Sequence, residues 1–331
     1  SGAPGRPGGV PVKWSAGVLL VCCLAAFEAE AGCTAAATAS PASFGSISSS
    51  LVYSAAQNTS STNSGLTCTP GGISLLGTAY FKAKITSAQT GMLGPTGDVI
   101  AYNISAGSNG THPITRGTAF DFASNGLLGT QAPSSIPLYF TTVTNNVAAG
   151  VYTETLNVQW DWYYCTGLGI GNVCLGSDSG VAKISHLTVS VTVANDCTIT
   201  AANISLGSAP VVSAFTPVSQ TVSVACTKGS AYTVGFSDGL HPVSTGGRRQ
   251  MISGSNYLAY DIFKSAGTTR WGSVGTARRA SSTAEVNPGN GLGHIPSSGS
   301  QIFNYNAKIY TDQTTPPAGT YTDSVVLDVG F

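Results

Sequence analysis

The chain has 331 residues, no formal net charge and only 8% charged side chains. It therefore lacks the basic face that phosphate binding needs, and nucleic acid is excluded as a partner. Its 42% apolar content is too high for a disordered chain, and its length allows two domains of ordinary size.

Residues 1–31 read as a secretory signal. Arg6 and Lys13 give a weakly positive opening, and Trp14 to Phe27 is an apolar run too short to span a bilayer comfortably. Ala29-Glu30-Ala31 is an A-x-A cleavage site. A lipoprotein signal ending at Cys33 expects an aliphatic residue where Glu30 stands, so that reading is set aside. Cys22 and Cys23 leave with the signal. Cys33, Cys68, Cys165, Cys174, Cys197 and Cys226 remain, an even number that favours disulfides in an exported chain. Fifteen pairings are possible. The order along the chain points to the sequential ones: Cys33–Cys68, Cys165–Cys174 and Cys197–Cys226. A zinc site would need close-paired cysteines, and His112, His186, His241 and His294 are scattered. Neither metal nor cofactor is expected.

The second half repeats the first. Cys33 to Cys68 corresponds to Cys197 to Cys226. Phe81 to Ile85 then matches Tyr232 to Phe236, and Ala101-Tyr102-Asn103-Ile104 matches Ala259-Tyr260-Asp261-Ile262. Last, Ala149 to Glu154 matches Ala318 to Asp323. Alternating apolar and polar residues, broken by Gly, Ser, Asn and Pro, predict strands nearly throughout and no convincing helix. The fold class is all-β: two tandem β-sandwiches, residues 32–194 and 195–331, meeting near Ala194-Asn195-Asp196 with almost no linker.

The copies end differently. The first runs through Trp160 and Trp162 to Cys165, crosses a short loop to Cys174, and adds a strand with Leu187, Val189, Val191 and Val193 on one face. The second stops at its equivalent of the earlier strand, with Val325, Leu327, Val329 and Phe331 on one face. An unpaired edge beside an unfilled core is costly, and a strand from another chain would remove the cost.

Three short motifs of the first copy place apolar residues between turn residues. The loop bounded by Cys165 and Cys174 carries Leu168, Ile170 and Val173; Met92-Leu93 and Leu127-Leu128 lie between Gly, Asn and Pro. Exposed, they form a contact surface; folded back, they are core. The Gly167, Gly169, Gly171 string has no following helix and is no nucleotide loop. Trp160, Trp162, Tyr163 and Tyr164 read as core rather than a sugar platform. Arg248-Arg249 and Arg278-Arg279 read as solvated surface pairs. Asn58-Thr-Ser and Asn109-Gly-Thr fit a glycosylation pattern but read as polar loop residues. No G-x-S-x-G elbow, HExxH motif or carboxylate pair appears, so no enzyme is expected.

The second copy resembles a spore coat protein U domain through Asn195-Asp196-Cys197, Val224-Ala225-Cys226, Tyr232 to Gly239, Arg248 to Met251, Tyr260 to Phe263, Arg270-Trp271-Gly272 and Ala318 to Val329. The first copy matches more loosely. Together they resemble the two-domain tip adhesins of archaic chaperone–usher pili. The resemblance implies an immunoglobulin-like sandwich whose second copy lacks its last strand. A periplasmic chaperone would supply that strand first; assembly at an outer-membrane usher would exchange it for the extension of the next pilin. Val325, Leu327, Val329 and Phe331 become the strand-acceptor edge. Cleavage after Ala31 leaves only Gly32 before Cys33, so the subunit accepts a strand without donating one, as a tip subunit would. The apolar loops then become the adhesive surface for an abiotic or host surface, with biofilm formation as the outcome. The alternatives are a structural minor pilin or coat-like protein without a ligand, and a sugar-binding lectin.

Overall fold

Period-two alternation carries most of the architecture. A computed structural model describes Gly2 and residues 32–69, 79–129, 132–166, 169–170, 173–174, 176–295 and 298–331. The signal read at 1–31, Gly2 apart, lies outside the described residues, as does Leu168.

The first repeat contains β1 (Cys33–Ala35), β2 (Ala42–Ser48), α1 (Ser49–Ser54), β3 (Asn58–Ser60), β4 (Leu66–Cys68), β5 (Tyr80–Ile85) and β6 (Gly91–Leu93). It continues with β7 (Val99–Ser105), β8 (Pro113–Ile114), β9 (Phe120–Asp121), β10 (Tyr139–Thr142) and β11 (Gly150–Cys165). β12 (Gly169–Ile170), β13 (Val173–Cys174) and β14 (Ser177–Ala194) complete it. β11 alternates over its whole length, so Tyr152, Leu156, Val158, Trp160, Trp162 and Tyr164 are all buried. The tryptophans are therefore core, with their indole N–H groups bonded to the Ser64 carbonyl and the Asp178 carboxylate. β14 pairs antiparallel with β11 from Gly150↔Val193 to Cys165↔Ser177 and runs parallel to β2. The resulting sheet order is β2-β14-β11-β6-β7-β10-β3, with β5 also on β11.

The second repeat contains β15 (Cys197–Ala201), β16 (Val218–Cys226), β17 (Thr233–Phe236), β18 (Arg249–Ser253), β19 (Asn256–Lys264), β20 (Arg279–Ala280), β21 (Gln301–Ile309) and β22 (Leu327–Gly330). One sheet has the order β15-β16-β21-β19-β18, the other β20-β17-β22. Val222, Val224, Val234, Ile262, Trp271 and Phe303 form its core, separate from that of the first repeat. The chain is almost entirely β, as the alternation implies.

Cys33–Cys68 and Cys197–Cys226 each join residues directly opposite in an antiparallel pair, β1 with β4 and β15 with β16. Cys165–Cys174 closes the loop between β11 and β14.

Two features differ from expectation. Helix α1 follows β2 directly; the Ser48 hydroxyl caps it by accepting from the Leu51 N–H, and six residues are too few to show a helical period. The arginine pairs are not both solvated. Arg248 is half-exposed and pairs with Asp312, but Arg249 is fully buried, donating to Asp261 and to the carbonyls of Ser237, Phe236 and Trp271. Arg279 is also buried and bonds the Asn304 carbonyl and Glu285. Successive residues of an extended chain face opposite sides, so Arg249 turns inward to Asp261 while Arg248 turns outward to Asp312.

The repeats meet through polar groups. Ser49 and Ser50 of α1 both donate to the Asp196 carboxylate, and Ser49 Oγ also lies 2.7 Å from Thr227 Oγ1. Lys228 Nζ is 2.6 Å from Asp98 Oδ1, and Asn146 Nδ2 donates to the Leu292 carbonyl over 2.7 Å. Gly293 is required here: a Cβ on it would lie 2.4 Å from Asn146 Oδ1, and its φ is +58°.

Candidate functional site

The second repeat has an open edge where the first is sealed. In the first, β14 lies between β2 and β11, and Leu187, Val189, Val191 and Val193 are buried against the core. In the second, β22 pairs with β17 through Thr233↔Gly330, Val234↔Val329, Gly235↔Asp328 and Phe236↔Leu327. Among the described residues no strand takes its other side. The segment 202–217, which follows β15 as β2 follows β1, forms no strand. Its Ile204, Leu206 and Phe215 stay half-buried against the core, as do Val325, Leu327 and Val329. A cavity of about 530 Å³ opens between this segment and residues 315–321, lined by Ile204, Leu206, Phe215, Met251, Leu258 and Tyr321. Half-buried apolar side chains beside a free edge are what an extended segment of another chain can cover.

Electrostatics hold β22 in place. Arg278 donates to the carbonyls of Thr233 at 3.0 Å and Asp328 at 3.3 Å, and pairs with the Asp328 carboxylate at 2.8 Å. Asp323 accepts from Tyr260 and from the Leu240 N–H. Burial, reinforced by Asp323, pushes the Tyr260 phenol up, so it remains a donor. Of the four edge residues expected from sequence, Phe331 alone does not pack; it is 58% exposed. It stands one residue beyond β22 and has no facing strand residue.

The apolar motifs of the first repeat fall into three environments. Met92 is fully buried in β6, opposite Ile100 of β7, and is not part of a surface; its side chain takes the inward position and that of Leu93 the outward one. Its neighbour Leu93 is 45% exposed. Leu127 and Leu128 are half-buried and pack on the core. Ile170 and Val173 pair across the β12–β13 hairpin inside the Cys165–Cys174 ring.

Ser49, His294 and Asp196 come together at the junction, a grouping the sequence does not show. Ser49 Oγ and Asp196 Oδ1 both approach the same ring nitrogen, His294 Nε2, at 2.8 and 3.1 Å. A nucleophilic relay needs the carboxylate on the opposite nitrogen and the hydroxyl accessible. Here Ser49 and His294 are buried, and the cluster joins the repeats. Among the described residues no group of three or more His, Cys, Asp or Glu side chains could hold a metal ion.

The family profile of the Spore Coat Protein U domain matches residues 20–159 and 183–328. No curated protein matches the chain. Among solved structures, the chain is similar to one in the CsuC–CsuE chaperone–tip adhesion subunit pre-assembly complex, from the archaic chaperone–usher Csu pili of Acinetobacter baumannii. That similarity has a TM-score of 0.62 and 26% identity, over 90% of this chain and 100% of that one. The CupB6 tip adhesin of Pseudomonas aeruginosa is more distant, with a TM-score of 0.30 and 12% identity over 90% of this chain and 94% of that one. CfaE, the adhesive subunit of CFA/I fimbria of enterotoxigenic Escherichia coli, gives 0.27 and 10%, over 76% and 81%. The last two likenesses are too slight to carry weight.

Proposed function

We propose, from the premise that this chain belongs to the spore coat protein U domain family, that it is the tip subunit of an archaic chaperone–usher pilus and attaches the pilus to surfaces. Residues 32–194 are the adhesive domain and 195–331 the anchoring one. The observation that carries this reading is the contrast between a sealed first repeat and a half-open second one. A periplasmic chaperone fills the β22 edge first, and after passage through the outer-membrane usher the next pilin's strand replaces it. The CsuC–CsuE assembly supports the chaperone step, because it pairs a similar chain with a chaperone. On this reading the protein is exported to the pilus tip at the cell surface, where attachment leads to biofilm formation.

A photo-crosslinking residue at position 326 tests the edge. Val326 is 64% exposed beside β22 and makes no core contact, so the replacement should not disturb folding. Co-expressed chaperone should be captured there. A chaperone complex that forms without capture at 326 places the strand elsewhere.

A structural subunit without a ligand is the second reading. The burial of Met92 and the packing of Leu127 and Leu128 favour it, since they shrink the apolar loop surface.

A further inference from the structure

The first repeat contains a cleft of about 780 Å³ on the outer face of β3, β10 and β7, walled by the turn at 108–110 and by residues 113–116. Its floor is one rung of the sheet. Thr141 is in register with Asn58 on one side and Asn103 on the other. Asn109 stands on the turn, so Asn58, Asn103 and Asn109, each the asparagine of an N-x-S/T pattern, reach this one place. Tyr139, half-buried, lies two residues along β10 from Thr141 and so on the same face.

The hydrogen-bonding chemistry of the cleft is neutral and two-sided. Thr141 Oγ1 donates to Asn58 Oδ1 at 2.6 Å, and among the described residues the Asn58 amide N–H groups have no protein acceptor. Asn103 and Asn109 are exposed, and among the described residues their side chains have no protein partner. Each amide offers both donors and an acceptor. The one cation in the wall is Arg116, and its charge is already matched. It forms a two-point pair with Glu154, at 2.8 and 3.0 Å, and a further bond to the Gln89 carbonyl. Its Nε has no partner within the described protein.

Arg116 is also what distinguishes this repeat. A tyrosine–carboxylate bond occurs in both, Tyr102 with Glu154 and Tyr260 with Asp323. In the second repeat the backbone N–H groups of Leu240 and Ser324 complete the carboxylate's partners; in the first, Arg116 does so and lines the cleft. A buried ion pair is poor value as a stabiliser compared with apolar packing. Its effect here is to fix a planar donor group, already neutralised, at the wall of a cleft.

We infer that this cleft binds a neutral saccharide. Hydroxyl groups act as donor and acceptor at once, which matches amide and hydroxyl side chains and not a charged lining. An anionic ligand would find no unmatched positive charge, and an apolar one would leave three amides without water. The site goes beyond attachment through apolar loops and uses different residues.

The test uses the full chain on an array of neutral oligosaccharides, ending in galactose, glucose or N-acetylhexosamine, beside sialylated and sulfated ones. Binding of neutral glycans is expected, followed by calorimetry on the strongest. Asn58→Ala with Asn103→Ala should weaken that binding at least tenfold at unchanged thermal midpoint, because both side chains are exposed. Thr141→Val, which keeps the shape, should weaken it as well. Attachment to apolar plastic should not change, so a failure here is distinguishable from a failure of the loop surface. The inference is overturned if no neutral glycan binds, if acidic glycans bind better, or if the double variant binds like the parent.

Discussion

The phenol of Tyr102 donates a 2.6 Å hydrogen bond to the carboxylate of Glu154, a residue only 1% exposed. Burial and then the carboxylate itself push the phenol up, so it stays a donor at any ordinary pH. Tyr102→Phe removes a bond to a buried charge, and we expect a loss of about 1.5–3 kcal/mol. Tyr260→Phe in the second repeat should cost less, because Asp323 is only half-buried and water can take the phenol's place. Urea unfolding of the two variants in the full chain measures this. A Tyr102→Phe protein as stable as its parent would show that Arg116 alone satisfies the carboxylate.

Val329 pairs with Val234 on one side and has no strand on the other among the described residues. A strand of alternating apolar residues fused after Phe331 through a short Gly/Ser linker should fold back along β22, as β14 follows β11. Completing the burial of Val325, Leu327 and Val329 contributes about 1 kcal/mol each, roughly half of what full burial of such a side chain gives. The thermal midpoint should therefore rise by several degrees. A fusion with charged residues at the inward positions is the control. Equal midpoints for the two fusions would mean that the edge takes no strand.

Acid should loosen the junction between the repeats. Burial raises Asp196, but hydrogen bonds from Ser49 and Ser50 and the neighbouring His294 outweigh it and hold the carboxyl below its ordinary value. At Asp98, burial is likewise outweighed by Lys228 and the Ala148 N–H. A carboxyl whose pKa is lower in the folded state contributes stability above the unfolded value, near 4, and that stability is lost as pH falls through the folded value. Melting curves between pH 6 and pH 2.5 should show a falling midpoint below about pH 4. Asp196→Asn should lower the midpoint at neutral pH and flatten that fall. Parallel pH profiles for the variant and its parent would remove Asp196 from the account.

The four pairs of matching segments were legible because they are local runs of strand alternation, and three of them fall within strands of both repeats: β1 and β4 with β15 and β16, β5 with β17, β7 with β19. The fourth also marks a real equivalence, since Glu154 and Asp323 take the same tyrosine bond. The junction was not legible. Ser49 and His294 are 245 positions apart, and each looks like an ordinary polar residue alone. Arg249 was misplaced because a doublet of arginines says nothing about which member faces inward; the three carbonyls that receive it come from other segments. Met92 was misplaced by its flanking glycines, which read as a loop although β6 is a strand between β11 and β7. The cleft over Asn58, Thr141 and Asn103 depends on three strands brought into register from distant parts of the chain.

Attachment through the apolar loops makes a prediction that the burial of Met92 sharpens. Leu168, outside the described residues, and Ile170 belong to a ring closed by Cys165–Cys174. Leu93 is largely exposed on the first-repeat sheet. Each exposed Leu or Ile that docks on an apolar surface contributes roughly 1–2 kcal/mol, and many pili acting together multiply weak contacts. Leu168→Ser with Ile170→Ser should therefore lower attachment to apolar plastic while the number of pili per cell stays constant. Leu127→Ser and Leu93→Ser should lower it further, Leu127→Ser with some loss of stability because that side chain packs partly on the core. Met92→Ser should behave in the opposite way. It opens the core at a fully buried position, costs about 2–4 kcal/mol, and should reduce pilus number without changing attachment per pilus. An attachment assay beside electron-microscope counts of pili on the same cells separates the two effects. Normal attachment per pilus in the variant carrying all four loop changes would rule out the loops as the binding surface.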